Sequence, residues 1–120
     1  MRQILRATAA MVAVVALLTA CGDEEADGTG SAPDPLTIEI TFEGGTVEPS
    51  GERIDVQVGQ PIELVVKADE GGELHVHSKP EQELEYHEGT TTLPLTIDKP
   101  GVVDVESHDL EQVIVQLEVE

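Results

Sequence analysis

The sequence is poor in cysteine, in aromatic residues and in basic residues. One Cys, one Phe, one Tyr and no Trp occur among its 120 residues. A single cysteine cannot form an intramolecular disulfide, and two aromatic side chains are too few for a platform on which bases stack. Six Lys and Arg face 25 Asp and Glu, which gives a formal charge of −19. A field of that sign repels phosphate backbones, so nucleic acid is not expected as a partner.

The chain begins with a short apolar run behind two basic residues. Arg2 and Arg6 precede an uncharged stretch, residues 7–20, which is followed by the only cysteine, Cys21. The stretch is shorter than the roughly 20 residues that a membrane-spanning helix needs, whereas a basic start and a short apolar run are typical of a secretory signal peptide. Its end, Leu-Thr-Ala-Cys, resembles the lipobox of bacterial lipoproteins. The resemblance implies cleavage before Cys21 and attachment of a diacylglyceryl group and an acyl chain such as palmitate to that residue.

We therefore divide the chain into a lipoprotein signal peptide (1–20), a lipidated cysteine with a flexible acidic linker (21–35), and a folded domain (36–120). Without residues 1–20, four basic side chains face 25 acidic ones, which is a formal charge of −21. Anionic lipid headgroups repel such a protein, so the acyl chains are expected to hold it at the membrane. The expected location is extracytoplasmic, on the outer face of the bacterial cell membrane.

Apolar and polar residues alternate along most of the chain from Leu36 onward, a pattern typical of half-buried strands. Gly and Pro separate the alternating runs, as they do in turns. These features predict an all-β fold: an antiparallel Greek-key β-sandwich of about seven to eight strands, with no helix longer than about two turns. In the last strand the alternation predicts that Val113, Val115, Leu117 and Val119 face the core. The other side chains expected there are Ile38, Val56, Leu64, Val66, Leu95 and Val105.

Histidine is the residue type most suited to chemistry in this domain. Segment 73–77 reads Glu-Leu-His-Val-His, so that its two apolar residues would face the core while Glu73, His75 and His77 share the opposite face. Same-face neighbours on a strand lie about 6.6 Å apart along the chain, a spacing at which two imidazoles can converge on one ion. A His-x-His pair on a solvated strand face is also common without any metal.

The order of these motifs resembles the cupredoxin-like family, in particular its small bacterial members with a His-x-His pair. The similar segments are 47–49 (VEP), 54–66 (IDVQVGQPIELVV), 73–77 (ELHVH), 99–108 (KPGVVDVESH) and the strand 113–119. In cupredoxins the first ligand histidine and the loop between the last two strands meet at one end of the sandwich. The resemblance therefore implies that His75 and His108 are neighbours that bind a metal ion. His77 and Glu106 are expected as further ligands, with Glu73 as an alternative carboxylate.

The sequence departs from that family at the position of the copper-binding thiolate. A blue-copper site needs a cysteine thiolate, two histidines and usually a weak axial methionine. The residue expected to be cysteine, six past Gly101, is Ser107, and both methionines, Met1 and Met11, lie in the signal peptide. We therefore expect no blue-copper centre and no blue-copper electron transfer. The remaining imidazole and carboxylate donors suit Cu(II), Zn(II) or Ni(II), so copper or zinc is the expected ion.

Two functions are compatible with these observations. The first is a lipid-anchored module that carries or buffers a divalent metal ion such as copper; the second is a metal-free β-sandwich that binds an unknown envelope protein or acts as a spacer. An enzyme is not expected. Ser107, His108 and Asp109 have the residue types of a hydrolase triad, but consecutive strand residues point to alternate faces. His87 lies among carboxylates before a turn and is expected to be an exposed loop residue.

Overall fold

Nine β-strands follow the alternating runs of the sequence. The computed structural model describes residues 30–120; no helix occurs among them, and hence none that is long and apolar enough to cross a membrane. The expected signal peptide (1–20) and Cys21 lie outside the described residues. The strands are β1 (Leu36–Glu43), β2 (Thr46–Glu48), β3 (Glu52–Val56), β4 (Ile62–Ala68), β5 (Gly72–Val76), β6 (Gln82–Tyr86), β7 (Gly89–Leu95), β8 (Gly101–Ser107) and β9 (Gln112–Val119).

The strands form two sheets, one of four strands in the order β2-β1-β4-β7 and one of five in the order β3-β9-β8-β5-β6. The predicted all-β sandwich is confirmed. Two of the pairings, β1 with β4 and β3 with β9, are parallel, so both sheets are mixed and the expectation of a wholly antiparallel sandwich was wrong in this respect. Alternation indicates which face a side chain occupies, but strand direction depends on which sheet each connection enters.

Apolar side chains from both sheets fill the space between them. Every side chain predicted to face the core, except that of Val113, is at most 5 % exposed. The two aromatic residues join the sheets at one end, because Phe42 on β1 stacks on Tyr86 on β6 with ring centroids 4.8 Å apart. The core is therefore built almost entirely from Val, Ile and Leu, with one aromatic pair.

A β-bulge changes the alternation in β9. Val105 pairs with Val115 and Glu106 pairs with Val113, so Ile114 is an extra residue in the β9 strand. Ile114 is fully buried and Val113 is only half-buried. The expectation that Val113 faces the core was wrong, because an inserted residue reverses the alternation on one side of the bulge.

Candidate metal centre

Strand β5 lies between β6 and β8, and the His-x-His pair is formed by His75 on this strand and by His77, which directly follows it. Leu74 and Val76 are fully buried. Because successive side chains of a strand point to opposite faces, Glu73, His75 and His77 lie on the outer face of the five-stranded sheet. We call this surface the outer face below.

The end of β8 brings the last histidine to the same face. Leu74 pairs with Ser107 across β5 and β8, and the backbone N–H of His108 donates to the carbonyl oxygen of Glu73 at 3.1 Å. The ring of His108 stacks on that of His75, with centroids 4.7 Å apart and planes inclined by 28°. His75 and His108, which the family resemblance predicts to be neighbours, are therefore in contact.

Glu73, His75 and His108 each offer one ligand atom, and these three atoms lie within 4.8 Å of one another. His75 Nε2 is 2.7 Å from Glu73 Oε1. Bonds of an ion to imidazole nitrogen and carboxylate oxygen measure about 2.0–2.2 Å, so small side-chain movements suffice to bring all three atoms onto one ion. The side chains of His75 and Glu73 are 21 % and 30 % exposed, and His108 is exposed, so further coordination positions face solvent. We call these residues the Glu73 group.

The other two expected ligands, His77 and Glu106, contact each other beside this group. His77 Nε2 is 2.9 Å from Glu106 Oε2, and the rings of His75 and His77 are 6.4 Å apart between centroids. Of the four ligands expected from the sequence, two thus belong to the Glu73 group and two form a separate pair.

Two further carboxylates lie beside the histidines, and both were missed from the sequence. Glu81 Oε1 lies 3.8 Å from His75 Nδ1 and 3.7 Å from His77 Nδ1, and Glu83 Oε1 lies 3.9 Å from His75 Nε2. They belong to an acid-rich segment, residues 81–88, whose sequence alone predicts a solvated edge of the sheet. Its proximity to His75 follows from the β5–β6 register, in which Glu83 is directly opposite that histidine.

These charges raise the pKa of His75 above its usual value of 6.5. The hydrogen bond to Glu73 is the largest cause, and the negative charges of Glu73, Glu83 and Glu81 add to it, while partial desolvation acts in the opposite direction. A site that favours the cationic form of an imidazole also favours a bound cation, because both neutralise the same carboxylates.

Ser107 occupies the interior side of the same strand end. Its side chain is fully buried, and its Oγ accepts a hydrogen bond from the Leu110 backbone N–H at 3.2 Å. Residues 30–120 contain neither cysteine nor methionine. The donors available here therefore do not fit a type 1 copper ion, which needs sulfur ligands.

The fourth histidine lies apart from these contacts. His87 follows β6 and is exposed, as expected, and its backbone N–H donates to Thr91 Oγ1 at 3.1 Å. It is not a member of the Glu73 group.

No model of a protein family matches the sequence, and no curated protein matches it. Solved structures do. A variant of amicyanin in its reduced Cu(I) form superposes with a TM-score of 0.52 at 14 % identity, over 70 % of this chain and 82 % of that one. Auracyanin A, a blue copper protein from the green thermophilic photosynthetic bacterium Chloroflexus aurantiacus, has a TM-score of 0.52 at 15 % identity, over 72 % of this chain and 99 % of that one.

The multicopper oxidase Fet3p, which functions in iron import, has a TM-score of 0.54 at 12 % identity, over 72 % of this chain and 23 % of its own length. At these identities the similarity concerns the fold. Together with the two sheets and their strand order, it shows that the described part of this protein has a cupredoxin-like fold.

Proposed function

We propose that this protein is an extracytoplasmic, lipid-anchored cupredoxin-like domain that binds a divalent metal ion such as Cu(II) through the Glu73 group. The observation that carries the proposal is the convergence of three ligand atoms, from Glu73, His75 and His108, within 4.8 Å of one another. Two imidazoles and a carboxylate on a rigid sheet form a donor set typical of Cu(II) and Zn(II) sites.

The chemistry of the donors favours storage or transfer of an ion over blue-copper electron transfer. Cu(I) prefers thiolate and thioether ligands, and residues 30–120 contain neither. The site is on an outer face with positions open to solvent, so a ligand from a partner or from water can complete the coordination shell. A carrier or buffer of Cu(II)-like ions is the role that follows.

The same donors suggest no catalytic role. The Ser107 hydroxyl is buried and His108 is exposed, so this serine and histidine do not form the hydrogen-bonded relay that a triad requires. We therefore propose that the protein is not an enzyme.

The proposed location depends on Cys21, which lies outside the described residues. We expect Cys21→Ser to move the protein from the membrane fraction to the soluble fraction, or to leave its precursor unprocessed. Fractionation followed by mass spectrometry of the N-terminus measures both. Normal processing and full retention in the detergent phase for this variant would refute the lipid anchor.

Titration of the purified Cys21→Ser protein with Cu(II) and with Zn(II) tests metal binding, because the only thiol is then absent. We expect Kd to rise at least tenfold for the strongest site in His75→Ala and in His108→Ala. His87→Ala removes an exposed histidine outside the Glu73 group and is the matched control, which should leave Kd unchanged. Equal, weak binding by all four proteins would refute a specific site.

A second function, a metal-free interaction or spacer module, is favoured by one observation. His75 is hydrogen-bonded to Glu73 and His77 to Glu106, so both histidines have partners without any ion. The same titration separates the two functions, because this module predicts no saturable binding in the wild-type protein.

A further inference from the structure

We propose that the outer face holds a second cation site, built by His77 and Glu106 with Asp104 beside them, so that one chain binds two divalent ions. This inference rests on the proposed function, which assigns the first ion to the Glu73 group. The two sites use different carboxylates and different imidazoles of the same sheet.

The ligand atoms of the outer face form two close pairs. His75 Nε2 contacts Glu73 Oε1 at 2.7 Å, and His77 Nε2 contacts Glu106 Oε2 at 2.9 Å. Two ligands at right angles on an ion, with bonds of about 2.0–2.1 Å, are about 2.9 Å apart. Each histidine–carboxylate pair therefore has about the spacing of adjacent ligands on one ion, and the rings of the two histidines lie 6.4 Å apart between centroids.

An oxygen atom without a hydrogen-bond partner in the described part of the chain lies on the same face. Asp104 precedes Glu106 by two residues on β8 and so shares its outer face, and its carbonyl oxygen accepts a hydrogen bond from the His77 backbone N–H at 2.9 Å. Asp104 Oδ1 is buried and has no hydrogen-bond partner among residues 30–120. Buried polar atoms almost always have a partner, and a cation on this face, or water in its shell, would supply one.

The second site is accessible to solvent. The side chains of His77 and Glu106 are 42 % and 32 % exposed, so the pair can be reached from solvent and water can fill the remaining positions. Two close protein donors make this the weaker of the two sites, since the Glu73 group offers three.

Glu81 lies between the two sites. Its Oε1 atom is at nearly the same distance, 3.8 Å and 3.7 Å, from Nδ1 of His75 and Nδ1 of His77. The negative charge of a carboxylate in this position attracts a cation at either site, and the first ion to bind partly neutralises that charge. The second ion is therefore bound less tightly than it would be alone, and the two binding steps are unequal.

Isothermal titration of the Cys21→Ser protein with Cu(II) tests the proposal through its stoichiometry. We expect two ions per chain, in two steps whose Kd values differ at least tenfold. His77→Ala and Glu106→Gln should remove the weaker step and change the Kd of the stronger one by less than threefold. His75→Ala and His108→Ala should remove the stronger step and leave one ion per chain. Glu63→Gln on β4 and His87→Ala are the controls and should retain both steps.

Three outcomes overturn the inference in distinguishable ways. One ion per chain, weakened both by His77→Ala and by His75→Ala, means a single shared site and leaves the proposed function intact. Two ions whose second step survives in His77→Ala and in Glu106→Gln mean that the second ion binds elsewhere. No saturable binding at all removes the proposed function together with the inference.

Discussion

Ser107 and His108 are adjacent in the chain but lie on opposite sides of the five-stranded sheet. Ser107 is fully buried, whereas His108 is exposed and stacks on His75 on the outer face. Segment 99–108 resembles the cupredoxin pattern, but the residue at the thiolate position faces the interior and the neighbouring histidines face solvent. The proposed metal centre is therefore on the surface of the sandwich, with nitrogen and oxygen donors alone.

A thiol introduced at position 107 tests this arrangement. We expect Ser107→Cys, made in the Cys21→Ser protein, to develop no intense blue thiolate-to-copper absorption with Cu(II), because its side chain will point into the core, away from the imidazoles. Visible absorption during titration measures this, and thermal unfolding verifies the fold. A strong band that disappears on the further change His75→Ala would contradict the proposed side-chain directions.

Leu64 on β4 tests the core. Its side chain is fully buried, so Leu64→Ala should lower the free energy of unfolding by about 2–5 kcal/mol through lost transfer energy and the cavity left behind. Chemical denaturation measures the change. Val102→Ala, at a side chain that is 63 % exposed, is the control and should stay within about 0.5 kcal/mol. Similar values for both variants would mean that the inward face is assigned incorrectly.

Gly72 begins β5 in a place with no room for a side chain. A Cβ atom there would press on the Tyr86 hydroxyl and lie 2.6 Å from Asp109 Oδ2 and 2.7 Å from Tyr86 Cζ. The tyrosine ring is buried and stacked on Phe42, so it cannot move freely. We expect Gly72→Ala to destabilise the fold by about 1–3 kcal/mol, measured by thermal unfolding.

Two comparisons make the Gly72 prediction specific. Gly30→Ala introduces a methyl group with nothing within 4 Å and should be neutral. Tyr86→Phe in the Gly72→Ala background should restore only part of the loss, because Cζ remains in the way. Full restoration would show that the hydroxyl alone causes the conflict.

The raised pKa of His75 predicts a pH dependence with a definite sign. Its folded-state pKa lies above 6.5 chiefly because of the hydrogen bond to Glu73, so the protonated form stabilises the fold. This contribution is complete below pH 6.5 and is lost as the pH rises through the folded-state pKa. In the absence of metal, the wild type should therefore have a higher free energy of unfolding than His75→Gln below pH 6.5. This difference should disappear as the pH rises through the folded-state pKa.

NMR titration gives the pKa of His75 directly. Glu73→Gln removes the largest cause of the shift and should bring the pKa back towards 6.5. An unchanged pKa in this variant would show that Glu83 and Glu81 produce the shift instead. Protons compete with metal for the imidazole. As the pH is lowered, Cu(II) affinity should therefore begin to fall at a higher pH in the wild type than in Glu73→Gln.

The candidate site was predictable in part from local pattern. Alternation alone assigns Leu74 and Val76 to the core and hence His75 and His77 to one outer face, since the period of a strand is two. The contact between His75 and His108 came from the resemblance to cupredoxins, because no local rule relates residues so far apart. The division into a Glu73 group and a His77–Glu106 pair was not predictable, because it depends on side-chain positions that follow from the β5–β8 register.

The sequence by itself determined the all-β class, the composition of the core and the absence of sulfur donors from residues 30–120, because each follows from residue type and local period. Only the tertiary structure decided the parallel pairing of β1 with β4, the bulge at Ile114 and the carboxylates that surround His75. These features depend on how distant strands align, and a shift of one residue in register would move every side chain of a strand to the other face.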